Sequence, residues 1–199
     1  MKRISIFLFL FILFTSCESS DTKSFSFMEK GNKWNYSFLI EGATSEGSYS
    51  YEITSSDEGG YYYLNYTDPM GSVNEDWYWY ANDEFFADES GAEQDYWFPM
   101  VFTVNTVGKK WTSPVDDDEL GTLTREIVSV TETVTVPAGT FANCVKIKQT
   151  CSADANIINY IWISMTDGIV KKESTGWMDI TDQPRKYFSV SAKLKSKNF

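Results

Sequence analysis

Cys17 is the residue whose surroundings most clearly predict chemistry. Two cations, Lys2 and Arg3, precede an apolar run over residues 4–14, and the small residues Thr15 and Ser16 stand directly before the cysteine. A charged start, an apolar centre and a small-residue processing site are together typical of a secretory signal. A thiol at the processing position leaves two alternatives: ordinary secretion with a coincidental cysteine, or attachment of a lipid that holds the mature protein to a membrane without a spanning segment.

A transmembrane helix is the alternative interpretation of this segment. At about 1.5 Å per residue its apolar run reaches roughly 16 Å, about half of a hydrocarbon core that is about 30 Å thick. The polar residues 18–24 follow at once, so the run cannot be extended. We therefore predict a signal peptide over residues 1–16, a lipidated tether over residues 17–24 and a single β domain over residues 25–199.

Residues 13–17, which read LFTSC, resemble the lipobox of bacterial lipoproteins. The lipobox usually has Leu three residues before the cysteine, where this chain has Phe14. The resemblance implies palmitate and further acyl chains on Cys17 and a place in the bacterial cell envelope, at the outer membrane with the leaflet undetermined. Residues 18–24 would then form a tether that reaches at most about 23 Å.

Histidine is absent from the whole chain. This absence removes the commonest general base, the commonest metal ligand and the usual partner of a nucleophilic serine or cysteine. Two carboxylates could still hydrolyse a glycoside, but no spacing selects a pair among the 28 acidic residues. The acidic run over residues 116–119 lacks the spaced ligands and central glycine of a calcium loop, so we predict a solvated loop. We predict no catalytic residue, no bound metal and no cofactor.

Two further cysteines, Cys144 and Cys151, lie seven positions apart, and the residues 145–148 that follow the first alternate like a strand. In one extended strand they would face opposite sides about 23 Å apart, whereas a disulfide needs Cα atoms within roughly 7 Å. We predict two free thiols, each buried or half-buried, and no zinc site.

Net charge limits the possible partners. The formal charge is −11, and removal of residues 1–16 with their two cations leaves 183 residues at −13. An acidic surface disfavours nucleic acid, whose phosphates need a positive field, and it disfavours docking of the domain onto an anionic membrane. Attachment is therefore expected through the lipid alone.

Alternation with a period of two predicts β-strands along the whole chain. The clearest runs cover residues 34–40, 49–53 and 188–194, where aromatic and branched residues alternate with polar ones. Turn sequences at residues 57–60, 68–71 and 167–168 separate such runs. The fold class we predict is all-β: one domain, a curved antiparallel meander that forms a half-barrel or barrel-like sheet, with little helix.

A hairpin is predicted over residues 132–147. Pro137 suits the second position of a tight turn, and Gly139 can take the left-handed conformation that completes a bulged hairpin. Residues 134–144 also resemble a V-x-V-P-A-G-x-F-x-x-C segment of uncharacterised bacterial envelope lipoproteins. Residues 34–36, 108–111 and 160–171 resemble further segments of the same group. This resemblance implies a curved antiparallel sheet and implies no activity.

Three functions are consistent with these patterns. The first is a non-catalytic binding or scaffold role, in which the curved sheet holds an apolar or amphiphilic ligand such as a lipid. The second is binding of a glycan at the cell surface by exposed rings, and the third is a carboxylate-based hydrolase. The aromatic residues that could form a pocket, or could merely fill the core, are Trp77, Trp79, Tyr96, Trp97, Phe98 and Trp162. Lys193, Lys195 and Lys197 predict an exposed sheet edge protected by charge.

Overall fold

A computed structural model describes residues 25–81, 84–87, 100–114, 121–178 and 185–199. Within these ranges the chain forms twelve β-strands and no helix, which confirms the predicted fold class. The strands are β1 (Lys33–Ile40), β2 (Gly47–Ser56), β3 (Tyr61–Thr67), β4 (Val73–Ala81), β5 (Glu84–Ala87), β6 (Val101–Phe102), β7 (Lys110–Pro114), β8 (Thr122–Val136), β9 (Gly139–Cys151), β10 (Ile158–Ser164), β11 (Gly168–Met178) and β12 (Lys186–Lys197).

All strands belong to one antiparallel sheet in the order β6-β5-β4-β3-β2-β1-β12-β11-β10-β9-β8-β7. Strands β1 to β6 form one meander and strands β7 to β12 form another, because within each half every strand pairs with its sequence neighbour. The two halves join where β1 pairs with β12, with Phe38 opposite Ala192 and Ile40 opposite Val190. The first strand therefore lies at the centre of the sheet, beside the last one.

The sheet is strongly curved and is not closed into a barrel by the strand pairings of the described residues. Its two edge strands nevertheless meet through side chains, because the Phe102 ring on β6 lies 4.9 Å from the Trp111 ring on β7. Across the interior, Trp34 Nε1 donates a hydrogen bond to Asp167 O at 2.7 Å, and Tyr36 Oη donates one to Ile169 O at 2.8 Å. Both bonds pass over β12 and hold β1 against the β10–β11 turn and the start of β11.

One end of the concave interior is tightly packed. The segment before β1 places Phe25, Phe27 and Met28 there with at most 2% of each side chain exposed. The Phe27 ring lies 5.2 Å from Phe85 and 6.2 Å from Trp34, in edge-to-face contacts that aromatic rings favour. We call this end, where the chain enters the domain, the base.

The predicted hairpin is present and closes part of the base. Strands β8 and β9 are joined by the two residues Pro137 and Ala138, with Val136 opposite Gly139. Ala138 N donates a hydrogen bond to Leu194 O at 3.1 Å, so the turn is fixed against β12. Val134 and Val136 are buried, and the motif therefore serves packing.

Both cysteines of β9 are free and buried, which confirms that prediction. Between them, β9 pairs with β10 in unbroken register from Val145 to Thr150, as a regular strand does. Asn143 adopts a left-handed conformation with φ of 56°, and the pairing of β8 with β9 shifts register near it. Cys144 directly follows this irregularity and is fully buried, and Cys151 is buried at the end of the same strand.

The lysines of the last strand do not protect a sheet edge, so that prediction was wrong. Strand β12 lies between β1 and β11 and is paired on both sides. Lys193 and Lys195 are exposed on the outer face, whereas Lys197 pairs with Asp167 at 2.7 Å. The sequence alone could not indicate this, because a terminal strand is central only when the first strand pairs with it.

Gly139→Ala is expected to lower the free energy of unfolding by about 1–2 kcal/mol. Gly139 has φ of +139°, and an added Cβ would meet no atom within 4 Å, so the loss comes from backbone strain and not from a clash. Urea denaturation of the purified protein measures it. Gly59→Ala is the control in another turn, since that glycine lacks a positive φ. An equal loss in both variants would contradict the explanation.

Candidate functional site

The candidate site is a groove on the concave face of the sheet, with a volume of about 330 Å³. Its lining combines residues from both halves of the chain: Phe38, Tyr49, Tyr51, Tyr66, Pro69, Lys172, Ser174, Val190 and Ala192. Tyr66 on β3 and Lys172 on β11 are four strands apart, which would separate them by about 19 Å in a flat sheet. They line one groove because the sheet curves around it.

Small residues make space for the groove. Phe38 lies across Gly47 of the neighbouring strand so closely that a Cβ on this glycine would be 2.3 Å from the Phe38 ring. On its other side Phe38 pairs with Ala192, and Ala192 pairs with Lys172. Because Ala192 has a short side chain between two long ones, the surface dips between Phe38 and Lys172.

Tyrosine rings form one wall of the groove. Tyr49 lies 6.1 Å from both Phe38 and Tyr66, and Tyr51 lies 5.2 Å from Tyr66. Tyr49 also stacks on Tyr36 at 5.0 Å with an angle of 15° between the rings. Burial raises the pKa of Tyr49 and, together with Asp68, that of Tyr66. These phenols therefore remain uncharged and offer flat apolar surfaces with hydroxyl groups.

Lys172 is the one charged residue of this lining. Lys172 belongs to a row of residues that pair with one another across neighbouring strands on the concave face. The row continues through Ile161 on β10, Ile147 on β9 and Ile127 on β8, which are all buried. A lysine at the end of an apolar row is poorly hydrated. Burial accordingly lowers the pKa of the Lys172 amine to about 7.

The next row away from the base is polar. Ser174 lies on β11, two residues beyond Lys172, and Asn159, Gln149 and Arg125 follow on β10, β9 and β8. Arg125 is 8% exposed, and its Nε donates a hydrogen bond to Gln149 Oε1 at 2.8 Å. Burial lowers the pKa of Arg125 to about 9, so the guanidinium stays charged at neutral pH. The interior thus changes from a packed apolar base, through the isoleucine row beside Lys172, to a polar row that contains Arg125.

The residues that the sequence indicated as site candidates do not line the groove where the structure describes them. Cys17 lies outside the described residues, as do the acidic run over 116–119 and residues 96–98, and the side chain of Trp77 is not described. Trp79 is buried in the base beside Trp34, at 5.1 Å between ring centres. Trp162 lies on the outer face beneath Lys146 and Lys171, whose Nζ atoms are 4.8 and 4.6 Å from its ring. Neither lines the groove.

Within the described part of the chain, no group of three or more acidic residues or cysteines is arranged to hold a metal ion. The buried polar residues of that part are Asn32, Ser37, Ser50, Arg125 and Ser164, so no carboxylate is among them. The same ranges contain no helix that is long and apolar enough to cross a bilayer.

Sequence reasoning did not find the residues of the groove. Tyr49 and Tyr51 were assigned to a strand face, and no pattern selected Lys172 or Ser174. Residues 171–175 read KKEST, which is polar throughout, so alternation could not reveal which residues point inward. Only the pairing of Lys172 with Ala192 and Ile161 fixes its direction.

No protein-family model and no curated protein matches this sequence. Two solved structures are similar to it. A "putative exported protein with YmcC-like fold" from Bacteroides fragilis is 16% identical with a TM-score of 0.50, and the match covers 86% of this chain and 97% of that one. A "putative lipoprotein" from Parabacteroides distasonis is 18% identical with a TM-score of 0.52, over 87% of this chain and 98% of that one. At these identities the likeness shows a shared fold.

Lys172→Met is expected to raise the free energy of unfolding at pH 6 by about 1–2 kcal/mol, allowing for the partial exposure of the lysine. The folded-state pKa is about 7, below the ordinary value of 10.5. The lysine therefore destabilises the fold fully below pH 7, and this cost disappears as the pH rises towards 10.5. Urea denaturation at pH 6 and pH 10 measures the difference.

Lys193→Met is the matched control, because Lys193 is exposed on the outer face of the adjacent strand. It should change stability little at either pH. A loss of stability in Lys172→Met at pH 6, or a gain that does not depend on pH, would contradict the assignment of a poorly hydrated amine.

Proposed function

We propose that this protein is a lipid-anchored lipoprotein of the bacterial envelope that binds an apolar or amphiphilic ligand, without catalysis, in its concave groove. The groove carries this proposal, since it is a concave site lined by aromatic rings and a few convergent polar groups, as ligand sites commonly are. A fully packed interior would have argued against a ligand. In the described part of the chain the base is packed, whereas the groove is open.

Membrane attachment would orient the groove. The described chain begins at Phe25 in the base, and the groove residue Phe38 lies four residues beyond Trp34 along β1, or about 13 Å further from the base. The eight residues from Cys17 to Phe25 span at most about 28 Å. An acylated Cys17 would therefore hold the base towards its membrane, with the mouth of the groove facing away.

This orientation favours a ligand that arrives from the aqueous side or from an opposing surface. At the outer membrane, the proposed location, such a ligand would be carried or presented by another envelope component. The mature surface is too acidic for nucleic acid, so we propose no nucleic-acid partner.

Glycan binding is the weaker alternative. It needs neighbouring exposed rings, and Tyr63 and Phe199 are the exposed aromatic residues of the described side chains, at 43% and 38%. They lie on different elements, β3 and the C-terminal segment. A hydrolase would need a pair of carboxylates, and the described groove lining contains none. Both functions remain predictions with less support.

Photo-crosslinking tests ligand binding on the full chain in its own membrane. Hexadecanol that carries a diazirine at mid-chain is expected to label peptides of β1, β2, β3, β11 and β12, because the groove lining lies on these strands and on the turn after β3. Val190→Trp should reduce this labelling about tenfold by filling the groove, which corresponds to about 1.4 kcal/mol of lost binding. Mass spectrometry of the labelled peptides gives the positions.

Lys193→Trp places the same ring on the outer face of the same strand and should leave the labelling unchanged. Labelling confined to outer-face residues, or equal labelling in Val190→Trp, would overturn the binding role.

The anchor is tested separately with Cys17→Ser. Radiolabelled palmitate is expected to enter the wild-type protein and not the variant, and the wild type should stay with the membrane fraction after a high-salt wash. Two or more acyl chains give stable attachment, whereas the acidic domain has no electrostatic means of binding an anionic bilayer. Palmitate on the variant, or its absence from the wild type, would refute the lipid anchor.

A further inference from the structure

We propose that a recess on the outer face of the sheet binds an acidic saccharide, with its carboxylate beside Lys195 and its hydroxyl groups across β1, β2 and β3. This outer recess is a second site, because the groove of the proposed function lies on the opposite, concave face. It recognises hydroxyl and acid groups, so it does not need the neighbouring exposed rings of a stacked glycan site.

The outer recess has a volume of about 520 Å³, within the range of roughly 300–1,000 Å³ for ligand pockets. Ser50 and Thr67 adjoin the groove residues Tyr51 and Tyr66 in sequence, so alternation places them on the outer face. Four lining residues pair with one another in a single row across neighbouring strands: Thr67 on β3, Ser50 on β2, Asn35 on β1 and Ser196 on β12. The recess therefore crosses the junction between the two meanders.

Ser50 is the most buried serine or threonine of the outer recess. It is 9% exposed, yet its hydroxyl has no hydrogen-bond partner within the described ranges. Buried hydroxyls are normally paired, because an unpaired one costs free energy. Ser48 and Thr67 also line the recess, and their hydroxyls likewise have no partner among the described residues. Three hydroxyl groups are therefore available to a ligand.

Asn35 and Ser196 hold each other in position. Asn35 Nδ2 donates a hydrogen bond to Ser196 Oγ at 3.1 Å, which leaves Asn35 Oδ1 as an acceptor and the Ser196 hydroxyl hydrogen as a donor. A saccharide hydroxyl both donates and accepts, so it can bond to both groups. Because the two side chains are already ordered, binding costs less of their conformational entropy.

A β-bulge places Lys195 at the outer recess. The pairing of β1 with β12 shifts register between Asn35 and Tyr36, which lie opposite Ser196 and Leu194, so Lys195 is the extra residue. Bulges redirect side chains, and Lys195 lines the recess beside Ser196. Its ammonium forms no ion pair with any described residue, and β12 contains no acidic residue. This end of the recess therefore suits an anionic group.

A second lysine adds positive charge at the same end. Lys193 lies two residues before Lys195 on β12, about 7 Å along the strand, and is directly opposite Lys171 on β11. Like charges directly opposite each other destabilise a sheet. Lys171 pairs with Glu173 at 2.5 Å, whereas Lys193 has no ion pair in the part of the chain that the structure describes. An anion bound beside Lys193 and Lys195 would offset this repulsion.

The other end of the outer recess carries a carboxylate and so fixes the direction of the ligand. Asp68 lines this end, and its Oδ1 accepts hydrogen bonds from Met70 N and Ser72 N, both at 2.8 Å. A carboxylate repels an anion, so the acid group belongs at the Lys195 end and a sugar hydroxyl at the Asp68 end. In a flat sheet the three strand spacings from β3 to β12 total about 14 Å. An inorganic anion would fill only one end of this length.

Apolar and protein partners suit the outer recess less well. None of the exposed large apolar residues of the described chain lines it. Stable protein interfaces depend on apolar and aromatic anchors that become buried. Hydroxyl, amide and ammonium groups together instead match a ligand that carries many hydroxyls and an acid.

A matched pair of trisaccharides tests the inference on the full chain in a neutral detergent at 0.15 M salt. Trigalacturonic acid and galactotriose of the same linkage, each with a diazirine at the reducing end, differ only in their carboxylates. We expect the acid to label peptides of β1, β2, β3 and β12 half-maximally at about tenfold lower concentration, since a hydrogen bond to a charged group contributes about that factor. Mass spectrometry gives the labelled positions.

Three variants assign the preference to Lys195. Lys195→Met should label equally with the two sugars, whereas Lys195→Arg should keep the preference because it keeps the charge. Lys148→Met is the matched control and should keep the preference as well. It removes a lysine from β9, three strands from β12 and beyond the screening length of about 8 Å at this salt concentration. Loss of preference in Lys148→Met would attribute the effect to net charge and overturn the inference.

Ser50→Leu should reduce labelling by both sugars about tenfold, because it fills the recess and removes a hydroxyl. Circular dichroism shows whether this variant is folded, and the Lys195 variants test the site if it is not. Unchanged labelling in folded Ser50→Leu would overturn the location of the site. Excess pentaglutamate should not compete with trigalacturonic acid, and full competition would refute the saccharide as the ligand.

The outcomes are independent of the proposed function. Excess hexadecanol should leave labelling by trigalacturonic acid unchanged, since the groove lies on the opposite face. Equal labelling by the two sugars, or no labelling of the four strands, would refute the acidic saccharide, whatever hexadecanol does in the groove.

Discussion

The pairing of β1 with β12 is the interaction on which the structure depends. It joins residues 33–40 to residues 186–197 and is the only strand pairing between the two meanders in the described part of the sheet. Its contacts are distant in sequence, so the chain must close a very long loop before they form. Trp34 and Tyr36 reinforce the pairing, because their polar atoms donate hydrogen bonds to backbone carbonyls in the β10–β11 turn and at the start of β11.

The groove follows from this pairing. Phe38 and the tyrosine wall belong to the first meander, whereas Lys172, Ser174 and Val190 belong to the second. Neither half contains the site alone. The base is the packed counterpart of the groove, because the Phe27 ring is in edge-to-face contact with Trp34 and Phe85 and closes this end of the curved sheet.

Charge also differs between the groove and the rest of the described surface. In the described part of the chain, no carboxylate lines the groove, whereas Lys172 and Arg125 lie on the inner face of the sheet. Burying Lys172 costs stability, and the apolar row beside it makes that cost larger. A protein retains such a residue most readily where it has a function, and here the lysine lies in the groove proposed to bind the ligand.

Sequence by itself determined the strands, the turns and the hairpin at Pro137, because these depend on residues close together along the chain. It also determined the absence of histidine chemistry and the lipobox-like segment at Cys17, whose acylation remains a prediction. Tertiary structure decided which strands are neighbours, which made the last strand central and turned Trp162 outward and Lys172 inward. The reason is that alternation in the sequence shows that a strand has two different faces, but only its pairing with distant strands determines which of them is concave.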